Sequence, residues 1–377
     1  MAKRKKKGGS KVLSVMMALI VIILGVWVYV NPDIVEHVKS SIENIFSDKA
    51  EEETNVYVSG DLEIHFLELG NKYTGDCTYI RNGDVDILID AGSKRSSIST
   101  IREYLDARMI DNVIEYVIVT HAHEDHYAGF ATPENVESLF DIYEVEVIID
   151  FSQTEKGKED GTMYKNYIRE RDAEIAAGAT HYTAAECRES GNYIFDLGNG
   201  IELEILDNLY YYERTSSEND HSVCTMINQG DRHFLFTGDL EEKGEKKLVE
   251  MNDLPKVVLY KAGHHGSKTS SSEELLSVIS PEIVCVCCCA GSSEYTKISE
   301  NMFPTQAFCD RVSVYTDKVY VTTVMVDDDN GIYESMNGDI VVRSTTEGVS
   351  VTGSANSTPL KDTEWFKSNR VIPDNWK

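Results

Sequence analysis

An α/β fold, with sheet layers flanked by helices, is what this sequence predicts, on three observations. From about residue 56, short apolar runs alternate with amphipathic stretches. Several of those runs end directly on Asp or His, which puts chemistry-bearing side chains at strand ends. The 377 residues are 41% hydrophobic with only 7 Pro and 25 Gly, enough apolar material for a substantial core and too few breakers for a low-complexity chain.

The first element precedes the α/β part. Residues 1–11 hold six bases (Lys3, Arg4, Lys5, Lys6, Lys7, Lys11), and residues 12–30 read VLSVMMALIVIILGVWVYV, 19 positions without a charge. As a helix that run spans roughly 28 Å, close to the hydrocarbon thickness of a bilayer. The basic block sets the N-terminus inside, Trp27 and Tyr29 suit the far interface, and Asn31-Pro32 closes the helix. The run is long for a cleaved signal and no small-x-small site follows it, so an uncleaved anchor with an extracytoplasmic C-terminal part is expected. Residues 31–55 read as a polar stalk and 56–352 as the folded domain. Residues 353–377 form a tail whose Trp365, Phe366 and Trp376 could dock on that domain.

Charge narrows the partners. The net charge is -28, and removing the six leading bases from 36 leaves 30 against 64 acids, or -34 for everything beyond residue 11. Such an excess repels nucleic acid at long range unless a basic groove or bound cations reverse the field, which excludes generic DNA coating.

Within the domain, strands are expected at 62–67, 85–89, 116–119, 146–149, 201–206, 223–227, 233–236, 257–260 and 283–288, and helices at 98–109, 163–176, 242–251 and 273–279. Ile101, Leu105 and Met109 share one face of the first helix, Ser271 and Glu274 form a capping box before the last, and Pro281 follows it. Four of the eight cysteines crowd into residues 285–289. Neighbouring strand residues point to opposite faces and no CxxC spacing is present, so this run reads as a buried strand using Cys as a small apolar residue.

The segment Thr120-His121-Ala122-His123-Glu124-Asp125-His126 follows the 116–119 strand directly. Three imidazoles and a carboxylate suit a borderline-soft dication. His121 and His123 can face one point while Asp125 and His126 address a second, which suggests two ions. Downstream, Asp239 ends Phe236-Thr237-Gly238-Asp239, and His264 and His265 sit in Lys261-Ala262-Gly263-His264-His265-Gly266-Ser267. Each is a weak motif alone, since an Asp after a strand is commonly a turn residue and a loop His pair is usually solvated. Together, all at strand ends, they meet the ligand requirement of a dinuclear site.

The HxHxDH segment at 121–126, the GD at 238–239 and the HHGS at 264–267 resemble the metallo-β-lactamase superfamily, and more narrowly the hydrolase domain of ComEC/Rec2-type competence proteins. Gly75-Asp76-Cys77, residues 87–92 (ILIDAG), Asn219-Asp220-His221-Ser222, and Tyr295 with Pro304 support the match, which covers roughly residues 60–345. The resemblance implies an αββα four-layer sandwich with metals at one edge between two sheets. It implies His121 and His123 on the first ion, Asp125, His126 and His265 on the second, Asp239 bridging, and Asp90 orienting ligating histidines from behind. A further superfamily histidine would fall between the first cluster and Asp239. His221 is the candidate, the alternative being an open or water-filled position. One span replaces the multi-helix channel of the competence proteins, so DNA transport is not implied.

Two dications roughly 3.5 to 4 Å apart can ionise a bridging water and orient a scissile group, which suits a phosphodiester and would also serve an amide or ester. Asp125, Asp239 and His264 are the expected catalytic side chains. Ser267 and Lys268 in GSKTS, together with Asn219, are the expected substrate contacts, the loop amides holding phosphate near a helix N-terminus. Tyr210-Tyr211-Tyr212 could stack on substrate or simply pack, and Asp327-Asp328-Asp329 reads as a solvated turn rather than a calcium loop. The expected protein is a membrane-anchored hydrolase with two divalent ions, zinc first and manganese or iron also accepted, and no nucleotide cofactor. Its substrate would be a phosphodiester in nucleic acid. Rival readings are a phosphodiesterase of teichoic-acid or phosphocholine-bearing wall polymer, an acyl or β-lactam hydrolase, and a binding module without turnover.

Overall fold

The computed structural model describes residues 61–377, so the basic segment, the anchor and the stalk lie outside the described residues. None of the described helices is long and apolar enough to cross a membrane.

Two eight-stranded sheets carry the domain. The first contains β1 (Leu62–Phe66), β2 (Thr78–Asn82), β3 (Val85–Ile89), β4 (Val113–Val119), β5 (Glu144–Asp150), β6 (Thr180–Thr183), β15 (Ile340–Thr345) and β16 (Gly348–Gly353), in the order β16-β15-β1-β2-β3-β4-β5-β6. The second contains β7 (Ile194–Asp196), β8 (Ile201–Ile205), β9 (Thr225–Gln229), β10 (Arg232–Phe236), β11 (Leu259–Lys261), β12 (Ile283–Ala290), β13 (Val319–Asp327) and β14 (Ile332–Ser335), in the order β14-β13-β12-β11-β10-β9-β8-β7. Strands β3 to β6 are parallel, as are β10 to β13; antiparallel strands adjoin the first set on its β3 side and the second set on both sides.

The helices are α1 (Ser97–Asp106), α2 (Glu124–Tyr127), α3 (Leu139–Ile142), α4 (Thr162–Ala177), α5 (Ala184–Ser190), α6 (Glu242–Met251), α7 (Glu273–Ile279), α8 (Gln306–Val312) and α9 (Glu364–Asn369). Strand periodicity divides the core into two. On β12, Ile283, Cys285 and Cys287 enter a cluster shared by both sheets, whereas Val284, Val286 and Cys288 face Leu248 of α6, Leu275 of α7 and Phe308 of α8. Phe66 of β1 meets Phe236 of β10 across the inter-sheet core, ring centroids 6.4 Å apart. All eight residues of β12 are buried, as expected of a central parallel strand, and its four cysteines are free thiols.

The expected elements recur with edges moved by a few residues, and β2, β6, β7 and β13 to β16 come in addition. One cap needs correction. Ser272, not Ser271, caps α7, its Oγ accepting the Leu275 N–H at 3.4 Å. Ser271 has φ +55°, and an N-cap requires extended backbone. The tail docks through Phe366, fully buried, and through Trp376, whose Nε1 donates to the Thr316 carbonyl at 2.8 Å. Trp365 lies under the Arg370 guanidinium at 4.8 Å.

Candidate metal centre

The two sheets deliver their functional side chains to one edge because parallel strands end on the same side. Asp90 follows β3, Thr120 and His121 follow β4, Asp239 follows β10 within three residues, and Lys261 ends β11 just before His264 and His265. Asp76 precedes β2 and His221 precedes β9; both strands run antiparallel to their neighbours, so their starts lie at this same edge. Carboxyl ends of parallel strands are where α/β sheets generally bind ligands. His123 occupies the extended N-cap position of α2, and the short helix turns Asp125 and His126 inward. His264, His265 and Gly266 hold left-handed φ values of 46°, 53° and 78°. Two consecutive histidines in that region are strained and are held there by tertiary contacts. Arg311 accounts for part of this, donating to the carbonyls of Lys268, Ser270 and Ser271.

The imidazoles share an orientation. His126 Nε2 lies 3.1 Å and His265 Nε2 3.4 Å from Asp239 Oδ2, and His265 Nε2 is 3.5 Å from Asp125 Oδ2. The rings of His121 and His126 are 4.2 Å apart, and His121 Nε2 is 2.9 Å from His123 Nδ1. The opposite nitrogens meet acceptors: His126 Nδ1 meets Asp90 at 2.7 Å, His265 Nδ1 meets the Cys287 carbonyl at 2.9 Å, and His221 Nδ1 meets the Tyr210 carbonyl at 3.0 Å. His121 Nδ1 is 3.1 Å from Thr120 Oγ1 and 3.4 Å from Ser222 Oγ. Metal-ligating histidines are oriented in this way, with one nitrogen free and the other fixed by an acceptor. The β12–β13 register shifts between Val286 and Cys289, which coincides with the Cys287 carbonyl that His265 uses.

Whether these residues fit a metal can be tested on their unpartnered atoms. His126 Nε2, His221 Nε2, His265 Nε2 and Asp239 Oδ1 are buried without a hydrogen-bond partner. Buried polar atoms normally have one, and neutral imidazole nitrogen with carboxylate oxygen is a donor set for a divalent ion. Asp76, His126, Asp239 and His265 form a buried group whose ligand atoms all lie within 4.8 Å of one another. The residues fit. Asp76 faces the Nδ1 side of the two histidines, at 3.2 Å from His265 Nδ1 and 3.7 Å from His126 Nδ1, and it pairs with the Lys261 ammonium. That placement makes it a carboxylate that orients imidazoles.

Electrostatics agree. Burial works against a charge on His126 and His265, yet Asp239 with Asp90 carries the first well above its ordinary value and Asp239 with Asp76 does the same for the second. The carboxylates therefore draw protons onto histidines where a cation would otherwise serve. His121 is held well below its ordinary value by burial and by the neighbouring His126 and His123. Burial also opposes ionisation of Asp125, but its bond with His265 and the charge of His126 hold it below the usual carboxylate range.

The structure brings His121, His123, Asp125, His126, Asp239, His265 and Asp90 into this one cluster. His264 sits at its mouth, Nε2 4.0 Å from Asp239 Oδ2 and Nδ1 3.1 Å from Thr269 Oγ1. Asn219 Nδ2 is 3.4 Å from both His264 Nδ1 and Glu241 Oε1. In the GSKTS loop the side chains have partners within the fold. Ser267 bonds to Thr269, Lys268 reaches Asn301 at 3.0 Å, and the amides of Ser271 and Ser272 before α7 are already taken by the buried Glu245 carboxylate at 2.6 and 2.7 Å. Tyr211 packs in the core, where its hydroxyl accepts the Cys224 N–H at 2.8 Å. Asp327 closes an exposed turn on Asn330. Lys261, Asp76 and Tyr295, which donates to Asp125, were noted only as parts of motifs and not as site residues.

Three comparisons bear on this geometry. Residues 70–132 match the family model of the metallo-beta-lactamase superfamily. Over 229 residues the chain is 28% identical to Recombination protein 2 of Haemophilus influenzae, covering 59% of this chain and 24% of that protein. Over 246 residues it is 26% identical to Competence protein ComA of Neisseria gonorrhoeae, covering 64% and 29% respectively. The match thus spans less than a third of either relative. Among solved structures it is similar to the metallo-beta-lactamase fold protein YhfI of Bacillus subtilis, at 10% identity and a TM-score of 0.42, over 73% of this chain and 99% of that one.

Proposed function

Because this chain belongs to the metallo-β-lactamase superfamily and resembles competence proteins of the ComEC/Rec2 type, we propose that it is a metal-dependent phosphodiesterase acting on nucleic acid outside the cell, held at the membrane by residues 12–30. The observation that carries the reading is the convergence of the buried Nε2 atoms of His126 and His265 on Asp239, with His221 Nε2 and Asp239 Oδ1 likewise buried without a hydrogen-bond partner. His121, His123 and His221 would hold one ion, Asp125, His126 and His265 the other, and Asp239 both. Bound dications supply a nucleophile near neutral pH and stabilise charge on entering and leaving oxygens.

The chain's own residues do the rest. Asp90 and the Cys287 carbonyl keep the ligand nitrogens of His126 and His265 pointed at Asp239. The Tyr295 phenol holds Asp125, and its ring packs on Phe303 at 5.4 Å, closing one wall of the mouth. His264, held on its Nδ1 side by Thr269 and Glu241, carries a proton at Nε2 for the leaving oxygen. Asp76, Asp90 and Asp239 are buried carboxylates and Asp125 a partly buried one, a charge that two dications would neutralise. Lys261 and two bound dications would together offset these carboxylates and Glu218, so the acidic surroundings of the centre do not exclude an anionic substrate. The relative named for recombination supports nucleic acid as that anion.

Release of p-nitrophenol from bis-p-nitrophenyl phosphate by the full chain with zinc or manganese tests the reading. Turnover is expected, and its loss in Asp239→Asn. Equal release by that variant, or hydrolysis of a penicillin in preference to the diester, overturns it. Protease added to intact cells should remove the domain; protection overturns the outward orientation.

A further inference from the structure

We propose that Glu218 is a positioning residue of the centre: its buried carboxylate fixes the loop carrying His121 and His123 and gives the ion on the His121, His123 and His221 side a negative charge beyond the shared Asp239. The inference rests on the two-ion reading above.

The two halves of the centre differ in what stands behind the imidazoles. His126 and His265 back onto Asp90 and Asp76. His121 backs onto the hydroxyls of Thr120 and Ser222, and His221 onto the Tyr210 carbonyl, all of them neutral acceptors. A dication among neutral imidazoles gains less from its surroundings than one among carboxylates.

Glu218 enters on that side. It opens the 3-10 turn Glu218–His221 whose last residue is His221, and it is only 2% exposed. One oxygen accepts the N–H of Ala122, the residue between His121 and His123, at 3.0 Å. The other accepts the Thr154 hydroxyl at 2.8 Å and the Glu155 N–H at 2.7 Å. One side chain thus ties together the segment carrying His121 and His123, the turn carrying His221, and the loop after β5. All three donors are uncharged, whereas a buried carboxylate is costly unless a cation offsets it. A glutamine could make comparable bridges without that cost. The charge acquires a purpose if a cation sits among the three histidines.

Zinc titration of the full chain by calorimetry, wild type against Glu218→Gln, tests this. Two ions are expected in each. One should bind about 10–100-fold more weakly in the variant, the usual effect of altering a residue that supports metal ligands, with the other unchanged. Two wild-type affinities in Glu218→Gln, or equal weakening of both ions, overturn the role of Glu218. Should the glutamine variant fail to fold, Glu218→Asp keeps the charge but withdraws it from Ala122. It should weaken the same single ion several-fold, and unaltered binding overturns the proposal as well. A wild-type chain that takes up no second ion overturns the reading of the centre and this inference with it.

Discussion

Glu245 couples the stability of the histidine loop to pH. Its carboxylate is fully buried between α6 and the start of α7, accepting the N–H groups of Ser271 and Ser272 at the end of the loop that carries His264 and His265. Burial pushes its carboxyl up from 4.5 to about 7, against the opposing pull of those hydrogen bonds and of Arg311. Between these values the folded chain holds a proton that the unfolded chain has released. Stability contributed by this group is therefore complete below pH 4.5 and is lost as pH rises through 7. With 4.5 in the unfolded chain and about 7 in the folded one, the loss is ~3 kcal/mol. Denaturant unfolding of the full chain in chelator, from pH 4.5 to 8, isolates it when the curve for Glu245→Gln is subtracted. The wild type should lose stability relative to the variant across this range. A difference that is flat, or that grows in favour of the wild type with pH, refutes the argument.

Two further substitutions test the packing behind the site. A Cβ on Gly92 would overlap the carbonyl of Asp125, so Gly92→Ala should displace the HxHxDH segment, cost roughly 1–3 kcal/mol in chelator and weaken metal uptake. Unchanged unfolding and metal binding would contradict that. Lys261→Met removes the partner of the buried Asp76 and should cost about 3–5 kcal/mol by chemical denaturation, most of it recovered in Lys261→Met/Asp76→Leu. A double variant no more stable than the single one would show that the charge pair is not the reason.

The parts of this protein that were legible in its sequence are those whose signal is local. The cysteine run of β12 alternates between two cores, as a central strand must, and five consecutive burial-compatible residues made it readable. The segment 121–126 gathers its ligands within six positions behind one apolar strand. Asp76 and Lys261 were not singled out as a pair because they are 185 positions apart and belong to different sheets, so only the folded structure brings them together. The capping box at Ser271 misled because sequence spacing does not report φ, and Glu245, in the first turn of α6, takes the Ser271 N–H that Glu274 of that box would have accepted. Strand β14 escaped notice because it is largely exposed, whereas β13 and β15 carry buried apolar residues and were overlooked; the aromatic residues of the tail did signal its docking.

Metal content of the full chain after saturation with zinc or manganese and removal of free ion bears most directly on the claim that buried histidines and carboxylates at the sheet edge hold an ion pair. Two ions per chain are expected in the wild type and no more than one in Asp239→Asn. A wild-type chain that remains metal-free, or an Asp239→Asn chain that keeps both ions, would contradict it.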